Sequence, residues 1–183
     1  MNPTMNRTII NPLFKDKVEF LETSAETGGY HSLLELTLQP GGKNFPHVHT
    51  AFIETFTPVR GILGVQLKNK TLLLAPGQRY VVLQNEVHHF FNPGNEALLF
   101  RIKLSPGHEG MEHALRIAYG LARDGRTNKK GIPKNIYEMA TLMEISNSYP
   151  TGIAAIARPL FSLLAKRARR KGIEQSLMTK YCM

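Results

Sequence analysis

Residues 41–61 read G-G-K-N-F-P-H-V-H-T-A-F-I-E-T-F-T-P-V-R-G, and this stretch decides how the rest of the chain is understood. His47 and His49 are two positions apart. On a strand such residues share a face at roughly 7 Å between Cα atoms, so two imidazoles can converge on one ion. Glu54 follows at an odd offset and would point the opposite way in a straight strand. For it to join the histidines, the chain must bend or bulge between Thr50 and Ile53. His88, in the separate segment H-H-F-F-N, offers a third imidazole. Three nitrogens and one carboxylate oxygen suit iron, manganese, nickel, copper or zinc.

Outward from this stretch the first half of the chain reads as strands. KVEFLETSAE, YHSLLELTLQP, AFIETFTPV, ILGVQLK, TLLLA, RYVVL, HHFFN and ALLFRIKL are short and rich in β-branched, aromatic and leucine residues. Turn signals such as Pro40-Gly41-Gly42, Pro76-Gly77 and Asn92-Pro93-Gly94 separate them, the pattern of an all-β sandwich or barrel. Leu34, Leu36 and Leu38 alternate with Leu33, Glu35 and Thr37, giving one buried face. Beyond Gly107 the period changes. Met111, Ala114, Leu115, Ala118 and Leu121 have helical spacing, and Gly125 is a stop. Pro133 is expected to open a second helix near KNIYEMATLMEIS. A third runs through TGIAAIARPLFSLLAKRARRKG, broken or kinked at Pro159, and IEQSLMTKY makes a last short one. The expected division is a barrel over residues 1–107 and a helical extension over 108–183.

With these residues in place the chain resembles the cupin superfamily. The first cupin motif, G-x5-H-x-H-x4-E-x6-G, is matched in every gap by Gly41, His47, His49, Glu54 and Gly61. The second, G-x5-P-x-G-x2-H-x3-N, is matched by Gly77, His88 and Asn92, with Leu83 in place of the proline and Asn85 in place of the second glycine. Asn tolerates positive φ better than most residues, so Asn85 can serve that turn. The resemblance implies a mainly β fold, a single-domain cupin jelly-roll β-barrel. The resemblance also implies one divalent transition metal, held by His47, His49, Glu54 and His88. It covers residues 15–104 and leaves the helical extension unexplained.

Related cupins include dioxygenases, isomerases, decarboxylases, hydrolases and proteins that only bind, and fold alone does not choose among them. The first reading is a metal-dependent enzyme, of dioxygenase or isomerase type, acting on a small organic molecule. The alternative is a binding or sensing module whose basic tail meets a partner or a membrane. Counting by two from the ligands, Phe52, Phe56, Phe90 and Asn92 are candidate pocket residues, with plain barrel core the competing role for the phenylalanines. Arg60, Gln66 and Arg101 are further polar candidates. His31, His89, His108 and His113 are read as surface or core residues. No catalytic residue is assigned, and no nucleophile elbow, phosphate loop or zinc helix occurs.

The net charge of +9 is lopsided: residues 1–107 carry 10 Lys and Arg against 8 Asp and Glu, residues 108–183 carry 13 against 6. The densest cluster is K-R-A-R-R-K from Lys166 to Lys171, following an apolar stripe of Ile153, Ile156, Ala157, Leu160, Leu163 and Leu164. A helix packed on the barrel or on a partner is the leading reading. An amphipathic contact of residues 151–171 with an anionic membrane comes next, and nucleic acid is disfavoured because no recognition motif accompanies the charge. The lone Cys182 excludes an internal disulfide. No secretory signal or long apolar run is read, so a cytoplasmic protein, peripheral to the membrane at most, is expected. A homodimer is implied by the resemblance alone.

Overall fold

The computed structural model describes residues 6–152 and 158–183. Eleven strands are formed among them: β1 (Thr8–Ile10), β2 (Lys17–Glu22), β3 (Ser32–Leu38), β4 (His47–His49), β5 (Ile53–Arg60), β6 (Leu63–Leu67), β7 (Thr71–Leu74), β8 (Tyr80–Val82), β9 (His88–Phe91), β10 (Leu98–Ser105) and β11 (Ser148–Pro150). They make two antiparallel sheets, ordered β1-β2-β3-β10-β5-β8 and β11-β4-β9-β6-β7.

Side-chain alternation explains the two layers. In β3 Ser32, Leu34, Leu36 and Leu38 are buried; in β10 Leu98, Phe100, Ile102 and Leu104 are. Leu63, Val65 and Leu74 of the second sheet join them in one core. Phe20, Phe52, Phe56 and Phe100 are fully buried there, each contributing about 1.5–3 kcal/mol by leaving water. The motif glycines Gly41, Gly61 and Gly77 take φ of 71°, 88° and 88°, a region where a Cβ is strained. Asn85 fills the same role at φ 62°.

The expected change of character after Gly107 coincides with the end of β10 at Ser105 and the start of α1 (Glu109–Arg123). The His108 imidazole caps α1 by accepting the Met111 N–H. Met111, Leu115 and Tyr119 pack on the barrel core. Buried Glu112 ties α1 to the barrel by accepting the Ser24 N–H at 2.7 Å and the Ser32 hydroxyl at 2.5 Å. Ile117 and Leu121, on another face, meet Leu177 and Cys182 in a second small core.

The second helix, α2 (Ile136–Ser146), starts later than expected. Asn135, not Pro133, begins it: the Asn135 side chain accepts the Tyr137 N–H, while Pro133 bridges Thr127 in the preceding loop. α3 is described over Arg158–Arg170, with Pro159 the second of these residues. Ile153, Ile156 and Ala157 of the expected apolar stripe lie outside the described residues. α3 packs against α2, with Ala165 and Ala168 buried and Leu160 and Leu163 exposed. Ala165 and Ala168, rather than Leu160 and Leu163, are therefore the residues this helix buries, with Leu164 half-buried. α4 (Ile173–Tyr181) closes the chain. None of the described helices is long and apolar enough to cross a membrane.

β11 was not expected. It is three residues long, too short for any periodicity, and it follows α2 directly. It adds to the edge of the second sheet by pairing with β4, Ser148 opposite His49 and Pro150 opposite His47. The extension thus contributes a strand beside the two histidines.

Candidate metal centre

His47 and His49 project from β4, and His47 lies directly opposite His88 of β9. After His49 the chain leaves this sheet. Residues 50–52 cross to the other one, where β5 begins at Ile53 and Glu54 stands opposite Leu104 and Val82. The bend required by the odd spacing is this change of sheet, and it brings Glu54 to the histidines from the facing layer.

The four side chains converge. His47 Nε2 lies 2.9 Å from His49 Nε2. Glu54 Oε2 lies 3.2 Å from His49 Nε2 and 3.0 Å from His88 Nε2. All four ligand atoms fall within 4.8 Å of one another. The outer ring nitrogens explain the orientation. His47 Nδ1 donates to the Phe45 carbonyl at 2.7 Å and His88 Nδ1 to the Glu86 carbonyl at 2.9 Å. The Ser148 hydroxyl lies 2.9 Å from His49 Nδ1 and donates to the Ser146 carbonyl, so it accepts from His49. With every Nδ1 given to an outer partner, each imidazole turns its Nε2 inward, where it can offer a lone pair once a metal replaces any proton there. Two Nε2 lone pairs at 2.9 Å repel unless a cation or proton lies between them. A buried carboxylate beside them supplies negative charge. The residues therefore fit a divalent transition metal, and the N3O donor set could hold any of iron, manganese, nickel, copper or zinc.

Electrostatics follow from the packing. Burial opposes the charge on Glu54, but His49 and His88 outweigh it and hold the carboxyl well below its usual range. Burial and the neighbouring His88 and His49 push His47 down to about 3. His88 is raised: burial works against its charge, and the hydrogen bond to Glu54 outweighs it. A neutral His47 is the form that a metal ligand requires.

The turn before His88 departs from the family motif and is held by other means. The Glu86 carboxylate accepts the Leu83 N–H and the Tyr80 hydroxyl, each at 2.9 Å. The Asn85 N–H donates to the His49 carbonyl at 2.8 Å. Glu86 thus does the stiffening that proline would do.

His49, Glu54 and His88 are buried, whereas His47 is half-buried. His47 borders two cavities, one of about 580 Å³ and one of about 240 Å³. Their walls come largely from the helical extension: Met139, Leu142 and Met143 of α2, Tyr149 of β11, and Met111 and Leu115 of α1. The four pocket candidates are placed elsewhere. Phe52 packs 4.5 Å from the His49 ring and Phe56 6.0 Å from His88, both within the core. Phe90 packs edge-on to Phe56 and Phe100. Asn92 spends its amide on the Leu38 and Glu96 carbonyls and borders a separate cleft with Arg60. None of the four lines the two cavities at His47: Phe52 and Phe56 belong to the barrel core, and Phe90 packs against it. Arg101 pairs with Glu35 on the outer face, and Gln66 bonds within the β6–β7 hairpin.

The remaining histidines stand apart from the cluster. His31 pairs with Glu22, His113 faces Glu109 and His108 caps α1. Cys182 is buried, and burial pushes its thiol up to about 11, consistent with no catalytic part. Ser148 and the α2 residues beside His47 carry no sequence signal of their own.

Residues 34–113 match the family described as Cupin domain. Among solved structures, the chain is similar to an RmlC-like cupin from Shewanella frigidimarina (16% identity, 60% of this chain and 90% of that one, TM-score 0.48). It is also similar to a predicted oxalate decarboxylase from Thermotoga maritima (19%, 57% and 94%, 0.48) and to the polyketide cyclase RemF from Streptomyces resistomycificus (20%, 57% and 80%, 0.47). No curated protein matches.

Proposed function

We propose that this chain, a cupin over residues 34–113, holds one divalent transition metal on His47, His49, Glu54 and His88 and acts as a metal-dependent enzyme on a small organic molecule. The carrying observation is the inward convergence of three Nε2 atoms and the Glu54 carboxylate. A metal so held supplies Lewis acidity and, for the redox-active ions, chemistry with dioxygen. The residues themselves bind and exclude water. Phe52 and Phe56 seal the inner side of the cluster, and His47 is the ligand that a molecule in the neighbouring cavities meets. Among the described residues, those cavities have Asn44, Ser146, Ser148, Tyr149 and Thr151 as polar lining residues beside His47 and no carboxylate or lysine. That supports oxygenase over isomerase chemistry, since isomerisation calls for a protein base near the reacting carbon.

Elemental mass spectrometry of the purified protein tests the reading, beside a His47→Ala/His88→Ala variant. A near-stoichiometric transition metal that the variant loses is expected, and iron would lead to oxygen-uptake screens. No metal in either, even after reconstitution, overturns the assignment.

A second reading is a non-catalytic binding or sensing module. It draws support from the exposed Leu160 and Leu163, which precede Lys166, Arg167 and Arg170 on α3. On this reading the extension meets an anionic membrane or a partner. Co-sedimentation with phosphatidylglycerol vesicles, lost on removal of residues 151–183, is its expected mark. The homodimer implied by the resemblance is tested by sedimentation equilibrium.

A further inference from the structure

The cavities beside His47 are built mostly by residues outside the barrel. They share His47, Leu142, Met143 and Ser148, so α2 and β11 form one wall along both. The larger, about 580 Å³, falls in the range typical of small-molecule sites. Its surface is apolar and aromatic, with Phe45, Met139 and Tyr149 beside the shared residues. Among the described residues no Asp, Glu, Lys or Arg lines either cavity. This contrasts with the rest of the extension, which carries most of the chain's excess positive charge.

Along this wall a charged group would leave water with no counter-charge on the wall itself; the cations nearby are the metal proposed at His47 and Arg158, whose guanidinium stacks on the Tyr149 ring. The methionines offer an adaptable apolar surface. The polar lining residues, Asn44, Ser146, Ser148, Tyr149 and Thr151, are uncharged and suit a hydroxyl or carbonyl rather than an ion. We infer that the helical extension forms the recognition wall of the site, and that the part of the ligand it receives is uncharged and largely apolar, one or two rings in size, with no carboxylate or phosphate against the wall. This rests on the reading of His47 as the accessible ligand of the metal centre.

A matched pair of probes tests it. Binding of 2-naphthol, neutral at pH 7, and of 2-naphthoate, anionic at pH 7, is measured by titration calorimetry on the full chain, metal-loaded and chelated. Leu142→Arg places a charge in the shared wall. Phe45→Asp does so at the mouth, where the side chain is 58% exposed and folding is not at stake. On the chelated protein, where no metal can take the carboxylate, saturable 2-naphthol binding is expected, at least tenfold tighter than 2-naphthoate. Each variant should weaken it at least tenfold with metal content unchanged. Naphthoate binding as tightly to the chelated protein, no saturable naphthol binding, or naphthol binding that Phe45→Asp leaves intact overturns the inference. If the wild type holds no metal yet keeps this pattern, the metal reading fails and the apolar wall stands.

Discussion

Ser148 shows how much one hydroxyl can decide. It accepts from His49 Nδ1 across 99 residues of sequence, whereas His47 and His88 use backbone carbonyls two residues away. Ser148→Ala removes the only one of these three acceptors that a mutation can delete. Metal affinity should fall about 10–100-fold, read by competition with a chromophoric chelator, with the circular dichroism spectrum unchanged. A change under about twofold would show that Ser148 does not orient His49. Asp16 is informative for a different reason. Burial raises its carboxyl from 3.8 to about 6, with the Gln39 N–H offsetting only part. The folded state therefore binds more protons than the unfolded state between those values. Stability falls as pH rises through that window and stays lower above it. Asp16→Asn should flatten the decline and raise stability at pH 7, on the order of 1 kcal/mol after solvent screening. Urea midpoints measured from pH 4 to 7 check the slope.

At the scale of elements, α1 is the hinge between barrel and extension, and its glycines set the distances. A Cβ at Gly110 would collide with the Ile145 carbonyl of α2, and one at Gly120 with the Tyr181 ring of α4. Alanine is the better helix former by about 1 kcal/mol, yet the collisions should win. Gly110→Ala should cost about 1–3 kcal/mol, because backbone cannot swing aside. Gly120→Ala should cost less, because a ring can. Denaturant midpoints order the two, and a gain for Gly110→Ala would mean that α2 is free to shift. The local signals for these elements were uneven. Alternation in β3 and β10 and the helical period of α1 were plain in the sequence. The start of α2 was not: Pro133 suits a helix beginning, but it is held in the loop by its bridge to Thr127, and Asn135 caps the helix instead.

In the molecule as a whole, the candidate centre joins the two sheets. His47, His49 and His88 belong to one and Glu54 to the other, so a bound ion is a cross-link present only in the folded state. Free metal at one hundred times its dissociation constant should stabilise the protein by about 2.7 kcal/mol. Chelation should lower the melting temperature accordingly, and the His47→Ala/His88→Ala variant should lose this response. A melting temperature indifferent to chelation and to added iron, manganese and zinc would argue against binding at this place.

By itself the sequence determined the barrel class, the strands with clear alternation, the helical extension and the four side chains that meet. Each of these follows from short-range periodicity or from motif spacing. Even the bend before Glu54 was implied, since an odd offset cannot place it beside His49 in a straight strand. Only the tertiary structure decided that β11 pairs with β4, that Ser148 holds His49, and that the space beside His47 is walled by α2 rather than by Phe52, Phe56 or Phe90. Those contacts link segments about 100 residues apart, as Ser148 and His49 do. A three-residue strand carries no period of its own, and the closed barrel interior keeps its phenylalanines as core.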